Sequence, residues 1–443
     1  MIKWVEIIKE NLKHHFVRDV AILQVGTIAS TGLGFIASLV MARVFKPDLY
    51  GEYVLIFSLV GLIGLFMNVG SGDAATTLLA EAYNKKDRES ILGIIAYFFK
   101  ISSLTFIIVG LLGIILSPFL AEILYHQALI GQWARVILFS NIFLLGFSFY
   151  SLVLQVVRKI TQYTILENIN KLAVSFLIIL AVVFGLGVWG AVVAQLAVTL
   201  IFAILAYYWY RKFQTNNQIF PTWLEIASAV FSINKKKYFL FGFQIAMDKN
   251  IVNFRSFIPT IAMGYLLASS EVAFYRIAFS YISLSTLLVS PISYILNIQL
   301  PKTKIFGLSS LKKRFFQTAL ISGVISSYLT LFFLMIAPFL IKLFYGNEYL
   351  PTLPAIYILA VNFAVSGFGV GLGAIFRTLN KMKYPLIING IVVSLSILPA
   401  YILIKDFGMV GAAWWVTVVN VITIAVDFIV LNILFKKTGS LSV

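Results

Sequence analysis

The chain has 443 residues, 60% hydrophobic and only 12% charged, with a mean hydropathy of +0.97. Soluble domains run near half apolar and a quarter charged, so the composition excludes a water-soluble globular protein and describes a polytopic membrane protein. The absence of cysteine excludes disulfides and thiolate metal sites, and the formal charge of +17 raises nucleic acid as a partner only until the basic residues are placed against a membrane.

The N-terminus is polar and basic, and its first apolar run already has full spanning length, which fits a retained first helix and not a cleaved signal peptide. Spanning runs lie near 20–42, 53–73, 93–117, 134–157, 165–186 and 188–210, then near 239–267, 272–298, 315–340, 354–377, 384–404 and 410–434. The expected fold is therefore all-α, with twelve transmembrane helices. With the N-terminus inside, twenty-four of the 34 Lys and Arg residues fall in inside segments, including Lys85, Lys86, Arg88, Arg211, Lys212, Lys235–Lys237, Lys312, Lys313 and Arg314. That asymmetry predicts cytoplasmic termini and accounts for most of the net charge without nucleic acid.

The two halves repeat. Pro118–Tyr125 (PFLAEILY) matches Pro338–Tyr345 (PFLIKLFY) at an offset of 220, and Asn141, Phe147, Tyr163, Asn168, Gly187 and Gly190 recur at 221 as Asn362, Phe368, Tyr384, Asn389, Gly408 and Gly411. Repeats of six spans keep one orientation and imply two pseudo-symmetric lobes related about the membrane normal. The expected division is residues 1–210, an inter-lobe linker over 211–238, and residues 239–443. The linker reads either as an amphipathic helix at the interface, carried by Trp223, Leu224, Ile226, Val230 and Phe231, or as a plain connection with a topology-setting basic cluster.

The seventh span departs most from its repeat partner. Over 239–267 it carries Gln244, Asp248, Lys249, Asn253, Arg255 and Ser256 within about half of the helix circumference, opposite Phe243, Met247, Ile251, Phe254 and Ile258. A charge at mid-membrane costs about 2.5–3.5 kcal/mol on insertion scales, so these groups face a wet cavity or pair with neighbouring helices. The equivalent face of the first span (Gln24, Thr27, Thr31, Gly34, Ser38, Ala42) is polar or small and uncharged, suited to a cavity wall or to close helix packing. Lys100 and Lys171 lie two turns from the cytoplasmic ends of their spans, where they either snorkel or join the cavity. Asp248 and Asp427 are the acids open to an ion-coupling role or to pairing. Asp73 ends the second span as a helix-end charge. Arg43, Arg135 and Arg276, near the outer surface, either guide an anionic head group or anchor helix ends. Gly367, Gly369, Gly371 and Gly373 make the tenth span a tightly packed or a bendable one.

The stretch Ala42–Gly70 (ARVFKPDLYGEYVLIFSLVGLIGLFMNVG), followed by Ala80-Glu81, resembles the N-terminal signature of the polysaccharide-transporter (Wzx-type) flippases of the multidrug/oligosaccharidyl-lipid/polysaccharide superfamily. Ala42, Arg43, Pro47, Tyr50, Gly51 and Tyr53 match the usual "ARxLGPExYGxY" pattern, while Phe45 and Lys46 depart from its Leu-Gly. The motif reads as a tight external connection between the first two spans. The resemblance implies a flippase in the bacterial cytoplasmic membrane that moves undecaprenyl-pyrophosphate-linked oligosaccharide units outward. Membrane lipids and glycan-assembly proteins are then its partners, and no cofactor is needed. The superfamily's lipid II flippases resemble the chain more distantly: they commonly have fourteen spans and first-helix arginines, where this chain has Thr31 and Ala37.

A lipid pyrophosphate is held most naturally by Lys or Arg. The residues expected to meet it are Arg255 and Lys249, with Asp248, Gln244, Asn253, Lys171, Lys100, Gln24 and Thr31 around them. A drug or cation exporter of the same superfamily would instead concentrate acids, and a glycan polymerase or ligase would need catalytic residues on a large external loop, which this sequence lacks. The loop Glu81–Ser90 lacks the Gly-x-x-x-Asp-Arg pattern of major-facilitator transporters. No nucleotide phosphate loop, H-E-x-x-H metal motif or catalytic triad is present, so neither an enzyme nor a metal site is expected.

Overall fold

The computed structural model describes residues 15–232, 236–286, 289, 292, 296, 299–301 and 303–439, and among them there is no strand. In chain order the helices are α1 (His15–Met67), α2 (Ser71–Asn84), α3 (Arg88–Tyr125, loosened into a π turn over Phe106–Gly110) and α4 (Ala128–Val156). They continue as α5 (Ile160–Val183), α6 (Gly187–Asn216), α7 (Trp223–Ser232), α8 (Lys236–Leu266) and α9 (Ser269–Ser283). The last four are α10 (Leu308–Phe344), α11 (Leu353–Ser366), α12 (Leu372–Thr378) and α13 (Lys383–Gly439).

Among the described residues eight helices are long and apolar enough to cross a membrane. Two of them, α1 and α13, have 53 and 57 residues. At 1.5 Å per residue each would run to about 80 Å or more, far beyond a bilayer core of about 30 Å. Each turns midway, at Lys46 (φ 58°) before Pro47 and at Gly408 (φ 58°), so each supplies two of the predicted spans. The 31-residue α8 is long enough to cross, and the span predicted at 272–298 is continuous α-helix from its start to Ser283, with Ile292 and Leu296 also helical. The chain is thus an all-helical, multi-pass membrane protein.

Two spans differ from their prediction. The second stops at Met67; Asn68–Gly70 breaks it, and α2 continues as helix to Asn84 where a loop was expected. Gly70 is left-handed (φ 77°) and its Cα lies against the Gly242 carbonyl, so no Cβ fits there. The tenth is also discontinuous: α11 ends at Ser366 and α12 begins after Gly371 (φ 89°), while Gly367 packs against Ser326 and the Ser322 carbonyl. The glycines therefore serve close packing at Gly367 and a backbone break at Gly371.

The repeat is written in the backbone as well as in the residues. Positive φ angles recur at Lys86 and Gly307, His126 and Gly346, Arg158 and Asn380, and Gly187 and Gly408. These pairs stand at the 220–222 offset of the sequence repeat, so both halves turn at corresponding points.

The chain divides into two compact units. One holds the described residues up to Val44 and Leu59–Asn250; the other holds Phe45–Ser58 and Ile251–Val443. In the first, α4 packs along α3 and α6, and a core of Leu79, Ile94, Phe98, Phe149, Tyr210, Phe220 and Ile226 closes one end. The linker enters this core. Thr222 and Glu225 form a capping box that starts α7, with Thr222 N–H donating to Glu225 Oε2 (2.7 Å) and Glu225 N–H to Thr222 Oγ1 (3.3 Å). Trp223 then sits among Phe99, Phe149, Tyr207 and Tyr210, with ring centroids 4.8–5.9 Å away.

In the second unit, α10, α12 and α13 share a core of Phe315, Phe376, Leu431 and Phe435. The turn after Lys46 belongs here: Gly51 abuts the Ser269 carbonyl, and Tyr53 and Tyr275 lie within the electrostatic reach of Arg276. The signature around Tyr50–Tyr53 therefore makes a tight connection and also packs on α9.

Candidate functional site

The charged residues of α8 fall into two groups, each within one unit. The first begins with the break at Asn68–Gly70. A broken helix leaves carbonyls of its last turn without N–H partners, and in a membrane these must be met by side chains. Asn250 Nδ2 donates to the carbonyls of Leu65 and Asn68, both at 2.9 Å. Next to it, Lys249 Nζ donates to Asp73 Oδ1 at 2.6 Å, and both side chains are partly exposed. Asp73 lies in the first turn of α2, where a carboxylate also suits the positive end of the helix dipole. The ammonium expected to meet substrate is here one half of an ion pair.

The second group surrounds Arg255. Its Nη1 donates to Thr423 Oγ1 and its Nη2 to Asn420 Oδ1, each at 3.3 Å. Asn420 Nδ2 donates to Ser366 Oγ at 2.8 Å, and Ser366 Oγ donates to the Asn362 carbonyl at 2.7 Å. Arg255 is thus oriented by neutral groups on α11 and α13. Asp427, one turn beyond Thr423, is buried (7% exposed), and its Oδ1 has no hydrogen-bond partner among the described residues. It does not form an ion pair with Arg255. A guanidinium has five N–H donors, and two of them meet partners among the described residues, so this cation has the chemistry to take an oxyanion.

The other predicted residues are dispersed. In the first unit exposed Lys171 reaches the buried Ser30 Oγ with its Nζ at 3.5 Å; Thr31 is exposed and Lys100 half-buried. In the second unit the Asn253 carbonyl accepts from Ser256 Oγ at 2.6 Å, and Arg276 is exposed. Arg43 is exposed in the first unit. The side chains of Gln24, Gln244 and Asp248 lie outside the described residues. Arg135 plays a structural part. Pro118 has no N–H for the Ile114 carbonyl, and Arg135 Nε donates to that carbonyl at 2.9 Å while Nη2 reaches Ile115 at 3.2 Å.

Sequence reasoning missed Asn420, Thr423 and Ser366. Asn420, Thr423 and Asp427 stand at i, i+3 and i+7 in a span whose other polar side chains are Thr417 and Asn432, a polar stripe legible from spacing alone. It also missed Glu167, which accepts from Ser151 Oγ at 2.9 Å inside the first unit. Among the described residues no group of three or more His, Cys, Asp or Glu could hold a metal ion.

With this geometry in view, comparisons with known proteins separate fold from function. The profile of a family described as "Polysaccharide biosynthesis protein" matches residues 16–295. Among solved structures, an inward-facing multidrug resistance MATE family transporter of the MOP superfamily aligns over 93% of this chain and 96% of its own, at 16% identity and a TM-score of 0.73. The lipid II flippase MurJ in an inward closed conformation aligns over 93% and 87%, at 12% identity and 0.70. A MOP superfamily transporter from Pyrococcus furiosus, described by the reverse polarity of its binding pocket, aligns over 95% of both chains at 15% identity and 0.60. At such identities the likeness shows the fold. No curated protein matches the chain.

Proposed function

Because the chain belongs to the polysaccharide biosynthesis protein family and has the MOP-superfamily fold, we propose that it is a flippase carrying undecaprenyl-pyrophosphate-linked oligosaccharide units from the cytoplasmic to the outer leaflet of a bacterial cytoplasmic membrane. Both termini are then cytoplasmic, and the lobes over 1–210 and 239–443 work by alternating access around the linker over 211–238. The observation that carries this reading is Arg255. It is a fixed cation within a span, oriented by Asn420 and Thr423 and without an ion-pair partner among the described residues.

Holding a cation at that depth by neutral partners leaves its charge for a ligand. A pyrophosphate meets it with charge-assisted hydrogen bonds, while the glycan needs polar groups such as Asn253 and the polyprenyl tail stays in lipid. Lys249 joins only when its pair with Asp73 opens. Lys171, beside Ser30, is a further cationic station, and Arg43 and Arg276 serve near the exit. Asp427 and Asp248 are the acids for any ion coupling.

Expressing Arg255→Ala in cells that depend on this protein for a surface glycan tests the reading. Loss of surface glycan, accumulation of the lipid-linked precursor and a normal protein level are the expected results; normal glycan display removes Arg255 from the mechanism. One observation favours a second reading. The partnerless oxygen of buried Asp427 would suit a drug or cation antiporter, and cation-driven dye efflux lost in Asp427→Asn would select it.

A further inference from the structure

Helix α7 is apolar on two sides, and the bundle uses one of them. Trp223, Ile226 and Val230 pack into the aromatic core of the first unit. Leu224 and Phe231, seven residues and two turns apart, share another face, where they are 84% and 88% exposed; Ala227 lies between them and is exposed too. The helix is held firmly in this pose by its capping box, by the Arg88–Glu225 ion pair at 2.6 Å and by Tyr210, whose hydroxyl donates to the Pro221 carbonyl at 2.6 Å. The open apolar face is therefore a fixed feature of the fold.

Charge identifies what covers it. The segment 211–238 has five basic residues (Arg211, Lys212, Lys235, Lys236, Lys237) and one acid, Glu225, which Arg88 already neutralises. Arg211 and Lys212 are exposed at the end of α6, below exposed Tyr207 and Tyr208 on the apolar outer surface of that spanning helix. A short helix with an exposed Leu-Phe face, cations at both ends in sequence and aromatics on the adjoining span has the pattern of a helix lying in an anionic lipid interface. The combination recurs in the second unit, within its own fold. There the turn after Lys304 exposes Ile305 (83%) and Phe306 (77%), followed by Lys312, Lys313 and Arg314, and no acid occurs between Glu271 and Glu348.

We infer that the Leu224–Phe231 face of α7 seats in the acyl boundary of an anionic lipid leaflet, on the side of the membrane that carries the basic loops. A protein partner would need acidic groups matched one by one to dispersed cations. A charged lipid surface needs no such register. The inference rests on the multi-pass fold and stands apart from the flippase reading.

The natural absence of cysteine makes the test direct. Nitroxide labels on Leu224→Cys and, separately, Phe231→Cys are read in the full chain reconstituted in phosphatidylcholine vesicles with and without phosphatidylglycerol. Collision with dissolved oxygen should exceed collision with a water-soluble nickel chelate severalfold, and the ratio should rise about twofold when the anionic lipid is added. Preferential collision with the nickel chelate in both vesicles would overturn the proposal. So would shielding from both reagents, which would mean that protein covers the face. Equal ratios in the two lipids would overturn the choice of an anionic surface.

Discussion

Two cations on one helix, Lys249 and Arg255, are only six residues apart and have opposite company. Lys249 is partly exposed and ends on a carboxylate 176 positions away in sequence, at 2.6 Å. Arg255 is half-buried and ends on an amide and a hydroxyl, with Asp427 outside ion-pair contact. The first arrangement neutralises a charge beside a helix break. The second orients a charge through neutral groups, with no ion-pair partner among the described residues, which on the proposed reading leaves it for a negative group that comes and goes. Two basic residues of one helix thus divide into an ion pair and a cation oriented by neutral groups.

The sharpest way to break that comparison is to remove each cation. Arg255→Ala should cut export of an anionic lipid-linked glycan about a hundredfold or more, as expected when a desolvated charge-assisted contact is lost, whereas Lys249→Ala should keep most of it. Equal losses in precursor-accumulation assays would erase the distinction.

The structural side is challenged at the break itself. Gly70→Ala forces a side chain into a left-handed position against the Gly242 carbonyl and should cost about 2 kcal/mol or more, read as a lowered thermal midpoint in detergent. An unchanged midpoint would mean that the break yields freely.

The orienting role of the neutral partners comes next. Asn420→Ala should lower export about tenfold at normal protein level by freeing the guanidinium, with partial recovery in Asn420→Gln. No change would leave Arg255 self-sufficient.

A smaller effect is expected from exchanging the Lys249 pair. Lys249→Asp or Asp73→Lys alone sets like charges together, and the double exchange should recover the loss, about 1 kcal/mol for so exposed a pair. Failure to recover would assign the ammonium a further role.

The least effect is expected from pH on another exposed pair, Arg88–Glu225. Hydrogen bonds from Arg88 first, and from the Thr222 backbone, hold the Glu225 carboxyl below its usual range. A lowered folded-state value means that this contribution is present above the ordinary carboxylate range and lost only as pH falls through the lowered one. Labels on α7 should therefore report steady docking near neutrality and loosening only in acid, and Glu225→Gln should remove that dependence.

Much of this was legible in the chain itself. Hydropathy is a local property, so runs such as 134–157 and 188–210 fall on helices α4 and α6, to within one residue, as expected. The repeat, read from pairs such as Gly187 and Gly408, reappears as matched backbone turns. A charged stretch within a span is equally visible, because its desolvation cost marks it as needing company.

Which company it takes was not legible. Nothing local joins Lys249 to Asp73, Arg255 to Asn420 and Thr423, or Arg135 to the carbonyl that Pro118 leaves open. Those partners lie from about twenty to nearly 180 positions away, and only the packing of whole helices selects among the many polar groups that could have served. The same holds for the break at Asn68–Gly70. Its glycine is ordinary in sequence, and it becomes a break where the approach of Gly242 demands a residue without a side chain. Composition and periodicity determined that the chain lies in a membrane as helices in two similar halves; tertiary structure alone decided that Lys249 meets a carboxylate while Arg255 meets neutral groups.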